Sequence, residues 1–475
     1  MNPVFSHPSS TRRRAKWLRA VLVLALAAPV VVPAQSSGGQ LPELSESVSE
    51  GLEKLRPLLD AKDWDGALAL LTGLAAKAKP DTFDMAFLSD TIGKIYLQKG
   101  EYAKAIRPME TALAISEKNP NFFRVSVVQD MIYFLAQIYY QEAASSKVPS
   151  VQLDGYKKAN SYLEKWLARS TKPASDAAQQ DAVLFHASLL YNLAVFNPEK
   201  VDHKALSAAE AEVERALRMS AHPKENLYAL ALAICQQQNP PDYVRAAEIL
   251  ELLVKKHPQK KDYWAQLAGV YLNLGQDKDE QKARENNIRA ILAIERAQAL
   301  GFMNTPKENY NLVGVYFNVG QFGQATELLH AGLRKGTIES EQKNWELLAY
   351  SYQQVDKPLQ AIEALREATK HFPKAGQLDF QIGQIFYGLN KTSEAYDALQ
   401  SAVKKGNLDK PAAVYGFLSY ICFELTRFDE ALAAANKALA LPDSKSDNQL
   451  PRLKTAIEEA IREREAQRAA ANTRA

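Results

Sequence analysis

The chain has 475 residues, 47% hydrophobic and 24% charged, a balance that supports a sizeable core and excludes a charge-rich disordered polymer. Its formal net charge is +3, but five of its 58 Lys and Arg residues (Arg12, Arg13, Arg14, Lys16 and Arg19) precede residue 35, where no Asp or Glu occurs. The other 53 stand against 55 acidic residues, so the bulk of the chain lacks the basic field that attracts nucleic acid or anionic membranes.

The basic start leads into the apolar run Ala20–Val32, and Val32-Pro33-Ala34 supplies the small residue that a signal peptidase needs. Thirteen apolar residues reach only about 20 Å, short of the roughly 30 Å hydrocarbon core of a bilayer. Residues 1–34 are therefore expected to be a signal peptide cleaved near Ala34, leaving an exported protein with no stable membrane insertion. Residues 35–43 read as a polar linker.

From residue 44 onward the apolar residues recur at helical spacing, in pairs of runs broken by short turns. The first pair is Leu44–Ala61 and Trp64–Ala76. The second joins Ile92-Gly93 and Tyr96 to Ala105 and Ala112 through Gly100-Glu101. A third uses Leu135-Ala136 and Tyr139, then Tyr156, Ala159 and Leu163, and its turn is expected to be swollen by an insert at 141–154. A fourth spans Leu184–Met219 and a fifth Glu225–Pro258. The sixth opens at Tyr263-Trp264 and is expected to reach its second helix only after a charged insert at 277–284. The seventh to tenth are regular. Across them the small residues Ala290, Ala325, Ala361, Ala395 and Ala431 are 35, 36, 34 and 36 apart. Leu450–Ala471 closes the chain as a helix rich in Glu and Arg, suited to cover the last exposed face of a stack.

The eighth unit, Gln342–Pro373, carries the pattern most fully. Trp345, Leu348, Ala349 and Tyr352 mark one helix, Ala361, Leu365 and Ala368 the next, and Pro373 the stop. Ala349 and Ala361 fall where two antiparallel helices approach most closely, and a bulkier residue there would cost roughly 1–3 kcal/mol. This unit resembles the tetratricopeptide repeat, a helical hairpin of 34 residues that stacks on its neighbours. The resemblance implies an all-α fold, a right-handed α-solenoid of about ten TPR-like hairpins with a C-terminal capping helix. Divergent repeats are expected over 44–221, regular ones over 222–442, and the capping helix and tail over 443–475.

Signatures of catalysis are missing from the sequence: no phosphate-cradling glycine loop, nucleophile elbow or zinc-protease helix occurs. The seven histidines are scattered singly, so neither a metal nor another cofactor is expected. Cys235 and Cys422 lie in apolar helical runs and are expected to be buried free thiols. The expectation is a protein without enzymatic activity.

In the tetratricopeptide family, fixed positions of each first helix line a groove that holds protein partners. Carried onto the C-terminal repeats, those positions are Tyr310, Phe317, Asn318, Lys343, Glu346, Tyr350, Gln353, Gln354, Phe380, Gln384, Tyr387, Tyr420 and Phe423. Aromatic rings and amides there would give contact area and hydrogen bonds at low entropic cost. Lys224-Glu225-Asn226, the run Tyr263-Trp264-Ala265-Gln266-Leu267-Ala268-Gly269-Val270-Tyr271 and Asn344-Trp345-Glu346-Leu347-Leu348-Ala349 also resemble the periplasmic tetratricopeptide proteins encoded beside TonB-system genes. That resemblance implies a periplasmic accessory of TonB-dependent outer-membrane transport, with TonB, its inner-membrane motor proteins or TonB-dependent receptors as partners. Two alternatives stand beside it: a scaffold for envelope assembly or polysaccharide export, and a glycan-cleaving enzyme on a helical superstructure. The second lacks any repeat-free segment long enough for a catalytic domain.

Overall fold

The computed structural model describes residues 42–446 and 449–472. The expected signal peptide, most of the linker and the last three residues lie outside them. Among the described residues the secondary structure is helical throughout, with 21 α-helices and no strand. They form ten hairpins and a final helix. The first three hairpins are α1 (Glu46–Asp60) with α2 (Trp64–Ala75), α3 (Phe83–Lys99) with α4 (Tyr102–Lys118), and α5 (Val125–Ser145) with α6 (Pro149–Arg169). The next three are α7 (Ala177–Ala194) with α8 (His203–Met219), α9 (Glu225–Gln237) with α10 (Tyr243–Lys256), and α11 (Lys261–Leu274) with α12 (Glu280–Ala299). The last four are α13 (Pro306–Asn318) with α14 (Phe322–Lys335), α15 (Gln342–Gln354) with α16 (Pro358–His371), α17 (Gly376–Gly388) with α18 (Thr392–Lys405), and α19 (Pro411–Glu424) with α20 (Phe428–Leu439). A short 3₁₀ turn (Pro442–Ser446) precedes α21 (Leu450–Asn472). Helices touch mainly their neighbours in sequence, the nearest-neighbour packing of an α-solenoid.

The described residues divide into two compact units, with the boundary between Ile249 and Leu250. The division falls inside α10.

The small residues of the repeat do what their spacing suggests. Ala290, Ala325, Ala361, Ala395 and Ala431 are all fully buried, and Ala349 nearly so. Turns between the paired helices repeat as well. Gly320, Asp356, Asn390 and Thr426 all have positive φ, at +73°, +56°, +58° and +58°. One residue later, a backbone N–H reaches back to a carbonyl five residues earlier: Gln321 to Tyr316, Lys357 to Tyr352, Lys391 to Phe386 and Arg427 to Cys422, at 2.8–3.0 Å. Each closure satisfies a carbonyl that the helix end would otherwise strand.

Two expectations need correction. Residues 141–154 do not swell a turn. They lengthen α5 and α6 to 21 residues each, leaving only 146–148 between them. Ala143 stays buried, so the apolar stripe continues to the end of α5, and Pro149 restarts the chain at a first helical position, where proline fits. The stretch 277–284 is likewise half helix. The Asp279 carboxylate accepts from the N–H groups of Gln281 and Lys282 at 3.0 and 3.2 Å, which starts α12 at Glu280.

Both cysteines are free and buried. Burial pushes each thiol up to about 11, so neither is a ready thiolate. Helix α21 buries Leu450 and Ile457, and Arg464 ties it to Asp429 of α20 at 3.0 Å.

Candidate functional site

Within the C-terminal unit, the first helices of consecutive hairpins carry their exposed aromatic rings toward one another. Phe317 on α13 and Tyr350 on α15 stack with centroids 6.4 Å apart and 27° between planes. Tyr350 is 50% exposed, which is unusual for so large a ring. Further along, Tyr387 on α17 meets Phe417 and Tyr420 on α19 edge-on at 5.4 and 5.9 Å, and Phe380 meets Phe417 at 6.2 Å. Edge-to-face pairs of this kind add about 0.5–1.5 kcal/mol beyond area burial. The Tyr420 hydroxyl donates to Glu424 at 2.6 Å, and the Tyr387 hydroxyl lies 3.1 Å from both. The Glu424 bond, then the Tyr387 hydroxyl, raises the Tyr420 phenol well above its ordinary value.

The remaining members of the expected set are spread along the same helices. Asn318, Gln353, Gln354 and Gln384 are exposed, with Gln353 loosely bonded to its own Ala349 carbonyl at 3.5 Å. Lys343 is exposed and pairs with Glu341 at 2.5 Å, a bond that raises its pKa. Glu346 is half-buried and accepts from Gln342 at 2.8 Å. Tyr310 is half-buried. Phe317 and Phe423 each also lie against the aromatic residue opening the next helix, Phe322 and Phe428, at 5.5 and 5.7 Å. One side of each ring thus closes its own hairpin.

Two residues of this surface were missing from the expected set. Phe417 joins two of the expected rings, Phe380 and Tyr387, and Glu424 gathers both tyrosine hydroxyls. Phe417 sits at no groove position and only the packing of α17 on α19 brings it in, whereas Glu424 stands at the repeat position of Asn318 and Gln354 and was passed over.

A second system ties four of the first helices to the hairpin before them. The Tyr139 hydroxyl donates to Glu110 at 2.6 Å, Tyr271 bonds Glu251, Tyr316 bonds Glu295, and Tyr352 meets His330 Nδ1 at 2.5 Å. Burial first, then the carboxylate, pushes the Tyr271 phenol up to about 12 and raises Tyr139 and Tyr316 further. Tyr271, Tyr316 and Tyr352 are 45 and 36 residues apart, so this tie recurs at one repeat position, and Phe386, 34 residues further on, interrupts it by lacking the hydroxyl. The tie fixes the spacing of the first helices it joins and thereby the spacing of the aromatic rings they display.

No group of three or more His, Cys, Asp or Glu side chains able to hold a metal exists among the described residues. None of the described helices is long and apolar enough to cross a membrane.

Comparison with known family profiles agrees with the repeat reading. A family profile of the tetratricopeptide repeat matches residues 346–409 and 380–447, and a second one matches 90–119. No curated protein matches the chain in sequence. Among solved structures, a tetratricopeptide repeat protein from Parabacteroides merdae is 15% identical, over 65% of this chain and 99% of that one, with a TM-score of 0.32. Yeast Tom70 is 12% identical over 88% and 96% of the two chains, with a TM-score of 0.28. MamA from Desulfovibrio magneticus is 15% identical over 38% and 96%, also at 0.28.

Proposed function

We propose that the chain is a non-catalytic, exported scaffold that holds an extended polypeptide against the first helices of its C-terminal unit. The observation that carries this reading is the row of partly exposed rings and amides on α13, α15, α17 and α19. Phe317 and Tyr350 form one pair, Phe380, Tyr387, Phe417 and Tyr420 a second group, and exposed glutamines lie beside them. Partly exposed aromatics with rotatable amides are the composition of a surface that contacts protein. The tetratricopeptide repeats at 346–447 support the same role, since repeats of this class build protein-binding scaffolds.

The location and partner rest on the resemblance to periplasmic tetratricopeptide proteins of the TonB system. On that basis the protein acts in the periplasm as an accessory of TonB-dependent outer-membrane transport. Its partners would be TonB, the inner-membrane motor proteins or the TonB-dependent receptors. A deletion strain tests this directly. Loss of TonB-dependent uptake with intact envelope permeability is the expected result. Unchanged uptake with a leaky envelope would overturn the transport role and favour an assembly scaffold.

A further inference from the structure

Three surface cavities occur among those formed by the described residues, and they differ in how their charges are settled. The first, about 420 Å³, lies beside Ser116, Phe123 and Arg169, and Arg169 is paired with Glu117 at 2.8 Å. A second, about 320 Å³, lies beside His330, Arg334 and Tyr352, and Arg334 is paired with Glu367 at 3.2 Å. The third is the largest, about 470 Å³, and sits between α10, α11 and α12. That volume falls within the roughly 300–1,000 Å³ usual for small-molecule sites.

The apolar wall of this third cavity is built from Val254, Trp264, Leu267 and Ala293, all buried in the fold. Leu292, 43% exposed, stands at its edge. The Trp264 ring is fixed in place because its Nε1–H donates to the Pro258 carbonyl at 2.9 Å. Around this wall stand three cations, Lys255, Arg289 and Arg296. The one carboxylate in the lining, Glu251, already accepts the Tyr271 hydroxyl, and the Arg289 guanidinium lies 5.9 Å from the Tyr271 ring centre. Lys255 and Arg296 have no ion-pair partner among the described residues. The lining thus combines three positive charges, one engaged negative charge and an apolar wall.

From this juxtaposition we propose that the cavity between α10, α11 and α12 binds a small amphiphilic anion, one with a carboxylate or phosphate head on an apolar body. The guanidinium groups of Arg289 and Arg296 offer the forked donors that suit either head group. The Trp264 and Leu267 wall takes the body, and Leu292 at the edge covers it. The two other cavities have their arginines neutralised by a carboxylate of the protein, and they lack this capacity.

Isothermal titration of the whole purified chain with octanoate, octyl phosphate and 1-octanol tests the assignment, with Trp264 fluorescence as a second readout. Both anions should bind saturably at one site per chain, and octanol at least tenfold more weakly. Binding should weaken as salt is raised. The double substitution Arg289→Gln/Arg296→Gln should lower anion affinity at least tenfold, with the melting temperature reporting whether it folds. Leu292→Glu places a carboxylate at the exposed edge without touching the core, and should weaken anion binding to a similar degree. Tighter binding of octyl phosphate than octanoate would identify a phosphate head, and the reverse a carboxylate. Absence of saturable binding by either anion would overturn the proposal. So would octanol binding as tightly as octanoate, or folded variants that bind as the parent does.

Discussion

The two compact units build the same hairpin with different materials. In the first, α5 and α6 are 21 residues long, and the space around them is filled by rings. Tyr133 packs on Trp166 at 5.2 Å, Tyr140 on Phe185 at 5.3 Å and Tyr139 on Tyr162 at 5.7 Å. Glu110 takes hydrogen bonds from both Tyr139 and Tyr162 at 2.6 and 2.9 Å. In the second unit the hairpins at 306–439 use helices of 12–14 residues that meet through fully buried alanines. The first unit has fully buried alanines too, Ala105, Ala112 and Ala159 among them, so the difference lies in helix length and in where the rings stand. The rings of the second unit's first helices are left on the surface, between one hairpin and the next. Aromatic residues in the first unit mostly hold the fold together, whereas in the second a subset stays partly exposed.

Truncating the fixed rings should have the largest effect. Trp166→Ala and Trp345→Ala each empty a buried site, at about 3–5 kcal/mol. Urea denaturation followed by circular dichroism should show both losses. A near-neutral Trp345 variant would break the claim that the second unit still depends on its one fully buried tryptophan. The close approaches come next. A Cβ on Gly376 would meet the carbonyl oxygens of Gly406 and Ala402 at 2.3 and 2.4 Å, backbone atoms that cannot step aside. One on Gly155 would meet the Ala143 Cβ at 2.8 Å. Each Gly→Ala change should cost about 1–3 kcal/mol, the Gly376 change more than the Gly155 change.

Smaller still are the ties between hairpins. Tyr139→Phe and Tyr271→Phe each remove one hydrogen bond, worth about 1 kcal/mol. Because the Tyr271 phenol is raised to about 12 in the folded chain, its contribution is complete below the unfolded value near 10 and is lost as pH rises through about 12. The parent should therefore lose stability across that alkaline window more steeply than Tyr271→Phe, and parallel curves would refute the tie. Last, Thr426 is a β-branched residue held at φ +58°, where its equivalents are Gly320, Asp356 and Asn390. Thr426→Gly should stabilise the chain by about 1 kcal/mol, read as a rise in melting temperature.

Much of this architecture was legible because hairpin pairing is written locally. The alanine spacing from Ala290 to Ala431 and the turn glycines announce it without reference to distant residues. Helix length at α5 and α6 was hidden, since Ser145-Ser146 and Pro149 look like a loop until Pro149 is seen to open a helix. Repeat positions pointed to a set of residues on the first helices of the second unit, and they lie on α13, α15, α17 and α19. Phe417 was not among them, because it joins through contacts between hairpins that no single repeat encodes. The tyrosine ties escaped for the same reason: each hydroxyl finds its partner in the preceding hairpin.

The central claim is that the first helices of the C-terminal unit, and not the second helices, hold a polypeptide. Site-specific photo-crosslinking in living cells tests it most directly, with the reactive group placed at Tyr350 on α15 or at Leu359 on α16. These positions are 50% and 53% exposed, so access alone does not separate them. The account predicts crosslinks to a distinct polypeptide from position 350 and few or none from 359. Crosslinks from 359 alone, or equally from both, would contradict it.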